Sequence, residues 1–168
     1  AAGQVAGATL AVLASLTDKS LLRVDANGRF DRHPLLYRFI REKLLARPRE
    51  AAVTRERHAA FQLRSLAGWS ERAVTGDQGE ALTWIDDELE NVRAAWSWAV
   101  ASRRWDLLRP AIAPLAWYFK IRGRRRDGID LLDEAVRAAQ DDADGRAVLA
   151  AVFPARARLL QDLGRYGE

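Results

Sequence analysis

From Leu82 to Ala135 large and small apolar residues recur at helical spacing over three consecutive segments, broken only at Ser102-Arg103-Arg104 and Gly123-Arg124. The first segment carries two apolar sides. Leu82, Ile85, Leu89, Val92, Trp96 and Ala99 form one stripe, while Trp84, Asn91 and Trp98, spaced i, i+7 and i+14, run along another. A helix that is apolar on two sides has to be covered on two sides, as an inner helix of a layered array is. The centre of the chain therefore predicts stacked antiparallel helices in an α-α solenoid, a fold that makes surfaces.

Composition narrows the chemistry. At 168 residues and 49% hydrophobic the chain can bury a core, as one domain or two small ones. It has no Cys and only two His, far apart, which removes disulfides and thiolate zinc sites and predicts neither a metal site nor a catalytic centre. The net charge of +4 permits a nucleic-acid or acidic partner, although Arg-for-Lys bias in an Ala-rich chain has a bland compositional origin. No apolar run reaches the roughly 18 residues of a membrane span. The Ala-rich start also lacks a basic n-region with a long apolar core, so a soluble, cytoplasmic protein is expected. The absence of Met and the turn signal at Leu163-Gly164-Arg165 predict a piece of a longer chain.

In chain order, Leu10, Leu13 and Leu16 predict a short helix from about Val5 to Leu16. Ser20–Asp25 and Arg29–Arg32 read as two short strands joined at Asn27-Gly28, a pair that supplies the positive φ a tight hairpin needs. Pro34 fits the first position of a helix whose apolar face is Leu35, Leu36, Phe39, Ile40 and Leu44. After the break at Arg47-Pro48 a long helix runs to about Val74, and Thr75–Gly79 is a loop. Helices of the array follow from Glu80. The expected division is a partial winged-helix arm over 1–47 and a helical repeat region over 48–168.

Charges at the helix ends read first as dipole complements. Acids Glu80, Asp86 and Asp87 lead one helix and Arg103 and Arg104 follow it; Arg122, Arg124, Arg125 and Arg126 close the next, before Asp127, Asp130, Asp133 and Glu134 open another. The Arg122–Arg126 run is also a candidate contact for phosphate or an acidic partner. Pro110, Pro114 and Pro154 are expected to restart or kink their helices. The cluster Asp86, Asp87, Glu88 and Glu90 reads as a solvated helix face, because neighbouring positions diverge and no base is near to tune them. His58 reads as a half-buried helix residue. Of six Trp, five fall on the array helices, where core filling is their common role. Trp98, Trp117 and Tyr118 are the ones expected nearest a concave, partner-binding face.

Superposing Gly123 on Gly164 brings Ala116 over Ala157 and Phe119 over Leu160, and Gly128, Leu132 and Ala135 supply a second small-large-small run. This resembles a tetratricopeptide repeat, with an offset nearer ~40 than 34 residues and without the closing Pro. The order of parts resembles a second family. Leu16-Thr17-Asp18-Lys19-Ser20-Leu21-Leu22, Gly28-Arg29-Phe30 and His33-Pro34-Leu35-Leu36-Tyr37-Arg38-Phe39 look like the winged-helix arm of STAND-type (NB-ARC/MalT-like) signalling ATPases, which include bacterial transcriptional regulators. Arg57-His58-Ala59-Ala60-Phe61 and Glu88-Leu89-Glu90-Asn91-Val92-Arg93-Ala94-Ala95 are similar to the start of the repeats in the bacterial members.

The resemblance implies a non-catalytic sensor and protein-interaction module. An upstream ATPase domain of the parent chain would hold ATP or ADP, the arm would relay the nucleotide state, and the repeats would bind a protein, peptide or small inducer; DNA would be met through other domains. It also implies a nucleotide contact for His33, which stands in Arg32-His33-Pro34 where the family has a Met-His-Asp-like triplet. No Gly-x-x-x-x-Gly-Lys-Ser/Thr loop occurs, so no cofactor is expected on this chain itself. The alternative is a DNA-binding winged helix with a helical dimerisation or effector domain, docking Arg23, Arg29, Arg32, Arg38 and Arg41 on phosphates.

Overall fold

The computed structural model describes residues 2–25, 28–31, 34–74, 76–161 and 164. They are mainly helical, with one small antiparallel sheet of two strands. The chain forms two compact units, 1–58 and 59–168.

The first unit holds α1 (Ala2–Ala6), α2 (Leu10–Asp18), β1 (Arg23–Val24), β2 (Phe30–Asp31), α3 (Pro34–Leu45) and the start of α4 (Pro48–Val74). The short helix expected from Val5 is in fact split. Gly7 turns the chain at φ +66°, and the Thr9 hydroxyl accepts the Val12 N–H to cap α2. Arg23 pairs with Asp31 and Val24 with Phe30. Gly28 sits at φ +73° and its N–H reaches the Asp25 carbonyl, while the Asp25 carboxylate accepts the Arg29 N–H. Glycine thus takes the left-handed position where the chain enters the second strand of the hairpin. Asn27, Arg32 and His33 lie outside the described residues. Phe39 and Ile40, read as part of an apolar face of α3, are 55% and 44% exposed.

The second unit continues α4 and adds α5 (Gln78–Ala101), α6 (Trp105–Ile121), α7 (Arg125–Ala139), a short 3-10 turn (Ala143–Gly145) and α8 (Arg146–Gln161). α5 begins at Gln78, so Gln78 and Gly79 belong to the helix and not to the preceding loop. Each helix packs on the next and on the next but one: α5 on α6 and α7, α6 on α7 and α8, and α7 on α8. Two layers result, α5 with α7 and α6 with α8. Their shared core is built from Ile85, Leu89, Val92 and Trp96 of α5, Leu108, Ile112, Leu115 and Phe119 of α6, Leu132 and Ala135 of α7, and Val148, Val152 and Leu159 of α8.

Local sequence explains the connections. α5 and α6 are joined by Ser102-Arg103-Arg104 and α6 and α7 by Arg122-Gly123-Arg124, each with its middle residue left-handed, at φ +52° for Arg103 and +70° for Gly123. In both turns the third residue's N–H returns to a carbonyl five residues back, Arg104 to Ala99 at 2.8 Å and Arg124 to Phe119 at 2.9 Å. These are Schellman closures, and they satisfy carbonyls that the helix end would otherwise orphan. Arg103 adopts there a conformation that a side chain disfavours.

Proline restarts neither helix. α6 runs on through Pro110 and Pro114, and α8 through Pro154. The carbonyls that lose their i+4 donor belong to Asp106, Pro110 and Ala150, and all three residues are exposed, so water can take the place of the missing N–H.

Gly128 shows why small residues punctuate the array. A Cβ there would lie 2.9 Å from the Cβ of Phe119 and 3.0 Å from Leu159 Cδ1, so α6 and α8 both close on the α7 backbone at this point. Nothing lies within 4 Å of a Cβ built on Gly68 in α4. Gly68→Ala should therefore stabilise the chain by about 0.5–1 kcal/mol through helix propensity. Gly128→Ala should reverse that gain and destabilise by about 1 kcal/mol or more through overpacking, read from paired urea unfolding curves.

Candidate functional site

Two kinds of polar arrangement emerge from the second unit. The first holds helices together. Asp86 of α5 accepts the Tyr118 hydroxyl at 2.8 Å and is paired with the Arg122 guanidinium at the end of α6. Along the α5–α7 seam Arg93 meets Asp127 at 2.9 Å, the Trp96 indole N–H donates to the Leu131 carbonyl at 3.0 Å, and Ser97 donates to Glu134 at 3.2 Å. Asp127 is also gripped by Arg124, and Arg93 lies over the Phe119 ring, 5.8 Å from its centroid. Arg156 of α8 reaches Asp133 of α7 at 2.6 Å. The indole N–H of Trp105 donates to Asp142 at 2.9 Å, and Asp142 also accepts the Asp144 N–H. On the other side of α5, Gln62 of α4 and Asn91 both donate to Glu88, and Trp84 sits 6.2 Å from Trp69.

These contacts correct several readings. The acids Asp86 and Glu88 are not merely a solvated face, because Arg122 and Tyr118 reach Asp86, and Gln62 reaches Glu88, across helix boundaries, with Asn91 of α5 itself adding a second donor to Glu88. The arginine run does not close one helix. Arg122 caps α6, Arg124 precedes α7, and Arg125 and Arg126 fall in the first turn of α7, where the dipole disfavours a cation. With Arg122 on Asp86 and Arg124 on Asp127, that run is no undivided anion patch.

Trp98, Trp117 and Tyr118 do not share a face. Tyr118 is 1% exposed and turned to α5, whereas Trp117 is half-buried on the outward side of α6. Successive helix residues are about 100° apart, so 117 and 118 could not both line one groove. Trp98 is half-buried on the side of α5 that also carries Trp84. His58 is half-buried within α4.

The second arrangement is the segregation of charge between layers. α5 carries five carboxylates (Glu80, Asp86, Asp87, Glu88, Glu90) against Arg93, and α7 four (Asp127, Asp130, Asp133, Glu134) against Arg125, Arg126 and Arg137. α6 has Asp106 against Arg109 and Lys120, and α8 has no acid against Arg146, Arg156 and Arg158. Asp106 is itself taken up by Arg104 in a two-point contact of 2.9 Å. The outward side of α6 shows Arg109, Pro110, Ala113, Trp117 and Ile121, and that of α8 shows Ala147, Ala150, Pro154 and Arg158. This apolar surface with exposed cations is the candidate interaction site. Sequence reading found Trp117 and missed the rest. A count of charge helix by helix, with the exposed side taken from the 3.6-residue period, would have marked it.

Several ionisations follow the same contacts. Hydrogen bonds from Arg124 hold the Asp127 carboxyl below its ordinary range, those from Arg104 do so for Asp106, and the Trp105 N–H does so for Asp142. Each stabilises the fold above the unfolded value of 3.8 and ceases to do so as pH falls through the lower folded value. Burial, then the Asp86 carboxylate, pushes the Tyr118 phenol above 10.0. A raised phenol keeps its stabilising effect below pH 10.0 and loses it as pH rises through the folded value.

Tyr118→Phe should cost about 0.5–1.5 kcal/mol at neutral pH through the lost hydrogen bond to Asp86. It should also flatten the fall in stability above pH 10.0, because the variant's unfolded state gains no phenolate at this position. Chemical unfolding of both proteins at neutral and alkaline pH checks the pair of effects.

Compared with protein-family models, curated proteins and solved structures, the chain finds no match. What it does has to be read from its own residues.

Proposed function

We propose that this chain is a non-catalytic sensor and protein-interaction module of a STAND-type transcriptional regulator. A winged-helix arm precedes tetratricopeptide-like helical repeats; the arm relays the nucleotide state of an ATPase domain in the parent chain, and the repeats bind a partner or inducer.

The observation that carries the repeat reading is the recurrence of one structural unit. The Arg122-Gly123-Arg124 turn repeats the Ser102-Arg103-Arg104 turn, Gly164 returns at φ +72° after α8, and the small residues Gly128 and Ala135 are buried between helices. Large residues fill the intervals, with Phe119 and Leu132 at 0% and 1% exposed. Packing of each helix on the next and the next but one is what stacked helical hairpins require. The arm is supported by the hairpin around Gly28 followed at once by a Pro-started α3, whose exposed Phe39 and Ile40 suit cover by another domain. Among the described residues no group of His, Cys, Asp or Glu is arranged to hold a metal ion. No described helix is long and apolar enough to cross a membrane.

Two measurements test the reading. The chain alone should show no ATP or ADP binding in calorimetry, since no phosphate-cradling loop is present. In the parent regulator, deletion of residues 76–168 should abolish the response to inducer while ATP binding by the upstream domain persists. An unchanged inducer response would overturn the sensor assignment. Salt-dependent binding of a DNA duplex by the 168-residue chain, lost on changing Arg23 and Arg38 to Ala, would replace it with a DNA-binding arm.

A further inference from the structure

The interaction reading leaves the partner's chemistry open, and the outward surface of α6 and α8 narrows it. Because α6 packs directly on α8, their exposed sides adjoin. The superposition of Gly123 on Gly164 places Trp117 over Arg158 and Ala113 over Pro154, so an aromatic plate and a guanidinium occupy equivalent places on neighbouring helices. Trp117 is half-buried and Ile121 is 52% exposed, which gives a bound chain apolar area to cover. Ala113, Pro110 and Pro154 are short or compact, and a large side chain can approach the helices over them.

Three features select the occupant. Arg109 and Arg158 are exposed, whereas Arg93, Arg122, Arg124 and Arg156 are each held against a carboxylate. Asp106, the acid of α6, is neutralised by Arg104, and α8 has none. The carbonyls of Asp106, Pro110 and Ala150 lack their helical donor because prolines follow four residues on, and so are acceptors for the N–H groups of an incoming backbone. Cations, apolar area and spare carbonyl acceptors together fit a polypeptide better than a nucleic acid.

We propose that the α6–α8 surface binds an acidic peptide segment with apolar anchors, its large side chain against Trp117 and its carboxylates on Arg109 and Arg158. The proposal rests on the reading of the repeats as an interaction module and states what they bind.

The test uses the whole 168-residue chain and three labelled synthetic peptides, followed by anisotropy. One peptide alternates Asp and Glu with Leu and Phe, the second has Lys in place of the acids, and the third has Ala in place of Leu and Phe. The first should bind, and the other two should bind at least about tenfold more weakly. Raising salt should weaken the first. Arg109→Glu with Arg158→Glu should lower its affinity about tenfold or more, and Trp117→Ala should lower it with little effect of salt on the loss. Arg126→Glu, in α7, should leave it unchanged. Circular dichroism and thermal unfolding of each exposed-site variant establish that the fold is retained.

If none of the three peptides binds, the interaction reading itself falls. If the Lys peptide binds as tightly as the acidic one, or if the double Arg variant binds normally, the module still binds peptides but the acidic assignment is overturned. A DNA duplex competing more strongly than the acidic peptide, or self-association in sedimentation that the double Arg variant abolishes, would overturn it in favour of nucleic acid or of a second copy.

Discussion

The array depends on how closely three helices approach at Gly128. With a hydrogen atom in place of a side chain, the α7 backbone sits so close to its neighbours that an added Cβ would lie 2.9 Å from the Cβ of Phe119 in α6 and 3.0 Å from Leu159 Cδ1 in α8. That approach lets Phe119 reach complete burial and lets α6 touch α8 past α7. A larger residue would push α7 outward, and the contacts of α6 with α8 would open with it. The local requirement for smallness at one position is thereby a requirement on the layering of the whole unit.

Polar contacts are arranged around this packing and follow from it. Once α5 and α7 lie side by side, Arg93, Trp96 and Ser97 on one face of α5 come opposite Asp127, Leu131 and Glu134 of α7. The buried Trp96 and Trp105 indoles both find acceptors, a carbonyl and Asp142, as a desolvated N–H must. These pairs also consume charge. Asp86, Asp127 and Asp133 of the α5–α7 layer are tied to neighbouring helices, while the α6–α8 layer turns Arg109 and Arg158 outward. The chemical asymmetry between the layers is thus a by-product of which helices exchange ion pairs.

Much of the secondary structure was legible in the residues. Pro34 and Pro48 mark the starts of α3 and α4, Trp105 and Ile121 bound α6, and Gly28 takes the left-handed place the hairpin needs. The errors have physical causes. Pro110, Pro114 and Pro154 are expected to restart or kink their helices, and no restart occurs, because the orphaned carbonyls belong to exposed residues and packing of the opposite sides holds the helices together. Arg103 stands where glycine would be expected, at φ +52°, because the closing hydrogen bond from Arg104 fixes the turn. Tyr118 was placed beside Trp117 on one face, against the 100° step that sends it into the core.

By itself the sequence determined the helices, the hairpin, the small residues at close contacts and the charge carried by each helix, because these follow from local periodicity, backbone stereochemistry and composition. Only the tertiary structure decided which carboxylates are paired and which side of each helix is left to solvent. Asp86 and Arg122 are 36 residues apart, and Arg93 and Asp127 are 34 apart. Such pairs exist only after the helices have layered. The same layering leaves Trp117 and Arg158 outward, since exposure belongs to the arrangement of neighbours and not to any one helix.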